Sequence, residues 1–312
     1  MDLEQKAIER IRTASEMSLR LYEKPLVITD SGGKDSLVCR ELARRAGIPY
    51  EVVHNLTTAD APETIYYVRD TFKRLEEQGI SCTVHKPVYR GKRITMWSLI
   101  PLKQMPPTRV QRYCCQVLKE ESQKDRFITT GVRWSESIKR KNGRGIYENM
   151  ASDIRKKLIL VNDNDEKRAL FESCALKGKR ICNPIIDWTD RDVWEFIRSE
   201  RLKVNPLYEQ GFFRVGCIGC PMAGKRRWKE FQRYPSYKQA YLHAFARMLE
   251  VIQKKQIPTT WKDAQDVFEW WMEDRQVEGQ MKLQDLESWR QANSEIQEEE
   301  PYEKEPEVWQ HR

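Results

Sequence analysis

Apolar positions along the first half of the chain alternate between two rhythms. Ile8, Ile11, Met17 and Leu21 share one side of a helix that runs to about Glu23, and Pro25 ends it. Leu26 to Thr29 is a short apolar run that predicts a buried strand, followed by the turn Ser31-Gly32-Gly33. A helix then opens near Asp35 and Ser36, carries Leu37, Val38, Leu42 and Ala43, and stops at Gly47. Tyr50 to Asn55 predicts a second strand. Asp60-Ala-Pro-Glu63 has the form of a capping box with Pro62 at the first helical position, opening a helix through Tyr67, Phe72 and Leu75 to Gly79. Ser81 to His85 gives a third strand. Strand and helix in alternation imply an α/β protein, a parallel sheet covered by helices.

The second half continues with strand candidates at Phe127 to Val132 and Leu158 to Val161. Thr189 and Asp192 cap a helix through Trp194 and Ile197. Beyond Cys220 the pattern turns helical, over Phe231 to Ile252 and Trp261 to Met272. Tyr89 to Val110 is Pro-rich and irregular and receives no assignment. The expected organisation is an N-terminal helix over 1–24, an α/β domain over 25–230, a helical region over 231–294 and an acidic, disordered tail over 295–312. Trp261, Trp270, Trp271 and Trp289 are expected to pack helices against the core.

With 312 residues the chain buries a full core, and a mean hydropathy of −0.76 describes a soluble globular protein. No apolar run approaches the roughly 20 residues of a membrane helix, and the N-terminus lacks a secretory apolar region, so no membrane partner and a cytoplasmic location are expected. The net charge of +8 is uneven, because the last stretch is acidic and leaves the body more basic. That favours phosphate-bearing partners, nucleotide or nucleic acid, without choosing between them. Only His54, His85, His243 and His311 are present, so any metal site must lean on the eight cysteines.

Thr29-Asp-Ser-Gly-Gly-Lys-Asp-Ser36 carries the strongest local chemistry. It joins a predicted strand to a predicted helix, where Gly32 and Gly33 admit a phosphate close to the backbone and the helix start aims free N–H groups at it. Ser31 and Ser36 add hydroxyls and Lys34 adds a charge, while Asp35 suits a Mg²⁺ ion better than a phosphate. The spacing fits neither a Walker A loop nor a dinucleotide GxGxxG turn.

This SGGKDS stretch resembles the PP-loop of N-type ATP pyrophosphatases, a superfamily with a doubly wound, mostly parallel α/β sheet and an adenine-nucleotide ligand. Three further stretches resemble its phosphoadenosine phosphosulfate (PAPS) reductase branch: Cys182-Asn-Pro-Ile-Ile-Asp-Trp-Thr-Asp-Arg-Asp-Val-Trp194, Asn205-Pro-Leu-Tyr208 with Gly211 and Gly216-Cys217, and Thr130-Gly131-Val-Arg133 with Ser137. In order they span Leu26 to Glu230. The resemblance implies that Ser31, Gly32, Gly33, Lys34, Asp35, Ser36, Gly131 and Arg133 bind the nucleotide. It gives Lys34, Asp35 and Arg133 catalytic roles.

Cys114-Cys115 and Cys217-Ile-Gly-Cys220 resemble the split CC and CxxC set that holds a [4Fe–4S] cluster in assimilatory reductases and in DNA-phosphorothioation sulfurtransferases. Zinc on the same four is the rival, made awkward by the adjacent pair. Cys39, Cys82, Cys174 and Cys182 read as core thiols. The resemblance therefore implies an iron-sulfur, Mg²⁺-dependent ATP pyrophosphatase that adenylates a substrate for sulfur transfer, with nucleic acid as acceptor and a cysteine desulfurase and other proteins as partners. The intact SGGKDS loop and the lack of cysteine after Cys220 favour ATP over PAPS. The alternatives are a PAPS/APS-reductase-type sulfonucleotide enzyme and a non-catalytic nucleotide-binding regulator. Basic stretches Lys139–Arg144, Lys177–Arg180 and Lys225–Lys229 suit nucleic-acid backbone contact, with Trp228 or Tyr147 to stack on a base.

Overall fold

The computed structural model describes residues 2–150, 158–163 and 178–273. Three of the expected strands, β1 (Leu26–Thr29), β2 (Tyr50–Asn55) and β3 (Cys82–His85), lie side by side and parallel. Their register pairs Leu26 with Tyr50 and Val52 with Cys82. A small hairpin of β4 (Val88–Tyr89) and β5 (Lys92–Arg93) follows outside this sheet. On the other flank of β1 come β6 (Phe127–Thr129) and β9 (Lys179–Cys182), also parallel. Then β7 (Tyr147–Met150) and β8 (Leu158–Leu160) close the edge as an antiparallel pair. The full order is β3-β2-β1-β6-β9-β7-β8, a doubly wound, mostly parallel α/β sheet.

Helix α1 (Leu3–Tyr22) and helix α2 (Lys34–Ala46) cover one face, packing on Leu26, Ile28 and Val52. The alternate side chains Val27, Val53, Ile128 and Ile181 form a separate apolar cluster. Leu26, Val27 and Ile28 are all fully buried, as a strand covered on both faces requires. A second core joins helix α4 (Met96–Lys103) to the helices Arg227–Arg233, Pro235–Lys254 and Ala264–Glu273. Trp271 sits inside it, with Nε1 donating to the Pro107 carbonyl at 2.6 Å, and Trp261 meets Trp270 edge-on. Those three tryptophans pack helices as expected. Trp289, Cys174, Lys177 and the acidic 295–312 stretch lie outside the described residues. No helix among the described residues is long and apolar enough to cross a membrane.

Three local expectations change. The strand begun at Phe127 ends at Thr129 instead of Val132, because the chain turns at Gly131 against the start of α2. Helix α3 (Pro62–Glu76) does begin with Pro62, but its N-cap is Ala61, without a side-chain bond. Asp60 instead accepts from the Thr57 amide at 2.8 Å, while its backbone bridges to Cys217. Strands β7 and β9 escaped the hydrophobic pattern because they bury polar residues: Glu148 Oε1 accepts from Arg144 at 2.6 Å and from Asn183 at 2.8 Å.

Candidate functional site

In a sheet of this order the connection after β1 runs towards β2 on one side, and the connection after β6 runs towards β7 on the other. The crevice at such a switch point, beyond the carboxyl ends of the strands, is where doubly wound folds hold ligands. The loop after β1 is Asp30–Gly33 and the loop after β6 is Thr130–Arg133, so topology alone brings two of the sequence-predicted segments together.

The phosphate bend is held from beneath by Asp30, which is buried. Its Oδ1 accepts from the Gly32 amide at 2.8 Å and lies 3.0 Å from Ser36 Oγ, and Arg40 pairs with its other oxygen. The Ser31 amide donates to Ser36 Oγ at 3.2 Å. From above, the Asn205–Tyr208 segment seals the bend: Asn205 Nδ2 donates to the Gly32 carbonyl at 3.1 Å, and the Lys34 amide donates to Tyr208 Oη at 3.0 Å.

Four charges meet at the mouth. Lys34 Nζ lies 3.1 Å from Asp35 Oδ2 and 3.0 Å from Asp190 Oδ1. Arg133 Nε donates to Asp35 Oδ1 at 2.8 Å, and its Nη2 to Asp190 Oδ1 at 3.0 Å. Lys34 and Arg133 are buried, whereas Asp190 is exposed. Partial burial pushes the Asp190 carboxyl up, but Lys34 and then Arg133 outweigh it and hold it below its usual range. Gly131 makes the encounter sterically feasible. A Cβ there would stand 2.8 Å from the Asp35 backbone carbon, closer than atoms tolerate, so the Arg133 turn can reach α2 only with glycine.

The four candidate metal-ligating cysteines make up a thiol wall drawn from two segments distant in sequence, of which only Cys217 and Cys220 lie near Tyr208 along the chain. Cys114 and Cys115 make up the short helix Tyr113–Cys115, and the Cys217–Cys220 turn is closed by the Cys220 amide on the Cys217 carbonyl at 3.3 Å. Gly219 in that turn has φ +74° and lies under Phe231, Tyr241 and Trp271. The turn is also stitched to the exit of β2: the Ile218 amide donates to the Ala59 carbonyl at 2.7 Å, and Cys217 Sγ is 3.3 Å from Thr57 Oγ1. The two pairs lie within electrostatic reach of each other. A hydrogen bond from Cys114 and then the Arg112 guanidinium pull the Cys115 thiol down, while that bond and burial push Cys114 up. Burial pushes Cys217 up to about 11. The charge of Cys217 first, then Asp60, Cys115 and Cys220, hold the Lys119 ammonium above its usual range against burial.

Among the described residues, no group of three or more His, Cys, Asp or Glu side chains stands arranged to hold a metal ion. The donor set nevertheless suits an iron-sulfur cluster in chemistry: four thiols from two segments, with Lys119 and Arg112 present to offset thiolate charge. The remaining candidate thiols behave as expected, Cys39 and Cys182 buried and Cys82 half-buried.

The sequence model of the phosphoadenosine phosphosulfate reductase domain matches residues 25–223. The chain belongs to this family. Within it, similarity to adenosine 5′-phosphosulfate reductase of Allochromatium vinosum is 25% identity over 64% of this chain and 68% of that protein. An uncharacterized protein of Methanocaldococcus jannaschii is 29% identical over 72% of this chain and 46% of its own. The chain spans less than half the length of the first two curated relatives it matches. Among solved structures, PAPS reductase from Candida auris in a phosphate complex aligns over 68% of this chain and 88% of its own, at 15% identity and TM-score 0.42.

Within the PAPS reductase domain, several residues with no assigned role prove central. Asp30 is legible only as the first polar residue of the loop after the strand. Asp190 reads as part of a helix cap, which Thr189 and Asp192 do form, yet its carboxylate turns to Lys34 and Arg133. Lys119 carried no signal beyond lying four residues after Cys115. Two nucleic-acid expectations are overturned. Tyr147 is buried in β7 with its hydroxyl on the Arg10 carbonyl, so it cannot stack on a base. Arg180 and Arg227 are buried too, Arg227 against the Trp271 ring, which removes them from any backbone-contacting surface.

Proposed function

We propose that this PAPS reductase family protein cleaves ATP between its α- and β-phosphates, adenylating an acceptor oxygen for later replacement by sulfur. The observation that carries this reading is the charge quartet at the mouth. Two cations face two carboxylates, so the site has no net charge of its own. A triphosphate suits such a site when it arrives with Mg²⁺, which typically takes one or two carboxylates plus substrate phosphates; Asp35 and Asp190 supply that donor type.

The acceptor oxygen attacks the α-phosphorus, the bond from that phosphorus to the bridging oxygen breaks, and pyrophosphate leaves with the electron pair. Lys34 and the amides of Gly33 and Asp35 at the start of α2 stabilise the departing charge, and Arg133 steadies the α-phosphate. Each well-placed donor is worth on the order of 3 kcal/mol of barrier. A sulfur nucleophile at the oxidation level of sulfide then displaces AMP, so the exchange needs no net electrons. Cys114, Cys115, Cys217 and Cys220 would hold a [4Fe–4S] cluster, which when bound supplies one-electron chemistry.

The acceptor we propose is nucleic acid, with a cysteine desulfurase as sulfur donor, whose persulfide sulfur is released at the sulfide level by a dithiol reductant that leaves as the disulfide. Support for the acceptor is the cation distribution: from Gln78 to Lys119 the sequence holds no acid, although its average density would place about six there. Arg140, on helix Ile138–Gly143, pairs with Glu136, while burial and then Arg144, Arg214 and Arg112 hold its guanidinium below its usual range, so several cations gather where an anionic substrate could meet them.

The similarity to adenosine 5′-phosphosulfate reductase favours a second reading, in which a sulfonucleotide occupies the bend and is reduced to sulfite. The anaerobically purified chain separates the two. ATP/pyrophosphate exchange without sulfite release supports adenylation. Sulfite formed from APS or PAPS, with no ATP cleavage, overturns it. Tight ATP binding with no turnover in the presence of cluster and nucleic acid would leave a binding protein.

A further inference from the structure

The hydroxyl of Tyr208 occupies an unusual position for a residue outside the loop it touches. Tyr208 belongs to the short helix Pro206–Glu209, whose N-cap Asn205 accepts from the Leu207 amide at 3.0 Å. The same Asn205 ties the helix to the bend through Gly32 and to α3 through Thr64 Oγ1 at 3.2 Å. Trp194 stands edge-on to the Tyr208 ring at 5.2 Å, so the ring has little freedom. Its oxygen is therefore delivered to the helix start with a fixed geometry. A Cβ on Gly33 would lie 3.5 Å from that oxygen, which leaves no room for a second group between them.

The oxygen accepts the Lys34 N–H at 3.0 Å, and the Val215 backbone lies close enough to influence the phenol. A phenol that accepts still has its own hydrogen to place. Among the described residues, Tyr208 donates no hydrogen bond, although the ring is half-buried and its oxygen meets the backbone amide of Lys34, whose side chain is engaged with carboxylates. Burial, before any other influence, holds the phenol well above its usual range, so the hydroxyl stays a donor throughout the physiological range.

We infer that Tyr208 is a phosphate-binding residue whose hydroxyl donates to a phosphate oxygen of the bound nucleotide. It thereby adds a neutral donor to a bend otherwise built from amides and Lys34. The inference rests on the proposal above that the bend holds the pyrophosphate portion of ATP. It also makes the segment that carries Cys217 and Cys220 part of the nucleotide's own binding site, through Tyr208 and Val215.

Titration calorimetry of the full chain with magnesium pyrophosphate and, separately, with AMP tests this. Tyr208→Phe should weaken magnesium pyrophosphate on the order of tenfold or more, as loss of a hydrogen bond to a charged group does, and leave AMP unchanged. Replacing Tyr208 by 3-fluorotyrosine, a stronger donor and weaker acceptor of nearly the same shape, should tighten magnesium pyrophosphate binding. If Tyr208 only buttresses the Lys34 amide, the fluorinated residue weakens binding instead, and the inference fails. It fails alone if Lys34→Ala loses pyrophosphate while Tyr208→Phe binds as the parent does. If the parent chain itself ignores magnesium pyrophosphate, both the inference and the pyrophosphatase proposal fall.

Discussion

The charged mouth and the thiol wall are built on opposite principles. At the mouth each of Lys34, Asp35, Arg133 and Asp190 has an opposite charge within about 3 Å, and the scaffold below is fixed by Asp30 and Gly131. The wall has its turn anchored under aromatic rings, and beside the Cys114–Cys115 hydrogen bond its sulfurs have other neighbours too: Arg112 for Cys115 and Thr57 for Cys217. The contrast follows from charge. Opposite charges attract before any ligand arrives, whereas four thiolates repel one another and gather only as a metal replaces their protons. One site is organised by folding; on the proposed reading the other would be completed by the cluster it holds.

That contrast can be broken most sharply at Lys34. Lys34→Ala should lower pyrophosphate release from ATP on the order of a hundredfold or more while the reconstituted protein keeps its visible absorption and iron content. Equal loss of both would show the two regions to be one unit. Cys217→Ser should do the reverse, removing most bound iron and sulfide after anaerobic reconstitution while ATP binding by calorimetry stays within about twofold. Gly131→Ala forces the Arg133 turn off α2; ATP affinity should fall about tenfold and thermal unfolding should report a loss of about 1–3 kcal/mol. Wild-type stability would contradict the close packing described.

Asp190→Asn gives the smallest effect, a few-fold rise in the Mg²⁺ concentration needed for half-maximal ATP binding. It also carries a pH signature. The Asp190 carboxyl is held below its ordinary value of 3.8, so its ion pairs contribute fully above that pH and are lost as pH falls through the lowered value. The difference in melting temperature between the parent and Asp190→Asn should therefore shrink below about pH 4; a constant difference would mean the pairing is not what distinguishes them.

Strands β1, β2 and β3 were legible because their apolar runs are continuous and flanked by Pro25, Gly47 and Gly79. Strands β7 and β9 were not, because the burial of Glu148 and Arg180 is decided by partners distant in sequence, a tertiary fact without local pattern. The bend itself was legible, since glycines and hydroxyls at a strand-to-helix junction have a local physical meaning. Asp190 was not: its position 155 residues beyond Asp35 says nothing until β1 and β6 are placed side by side. Asp60 shows the opposite failure, where a plausible capping sequence lost to a competing tertiary contact with Cys217.

The balanced quartet has one further bearing on how such a protein fares in a crowded solution of small anions. Inorganic phosphate and sulfate would gain little by entering a mouth whose cations are already answered. A long chain of phosphates escorted by its own divalent ion brings compensating positive charge with it, and so meets a lower threshold than the common ions that outnumber it.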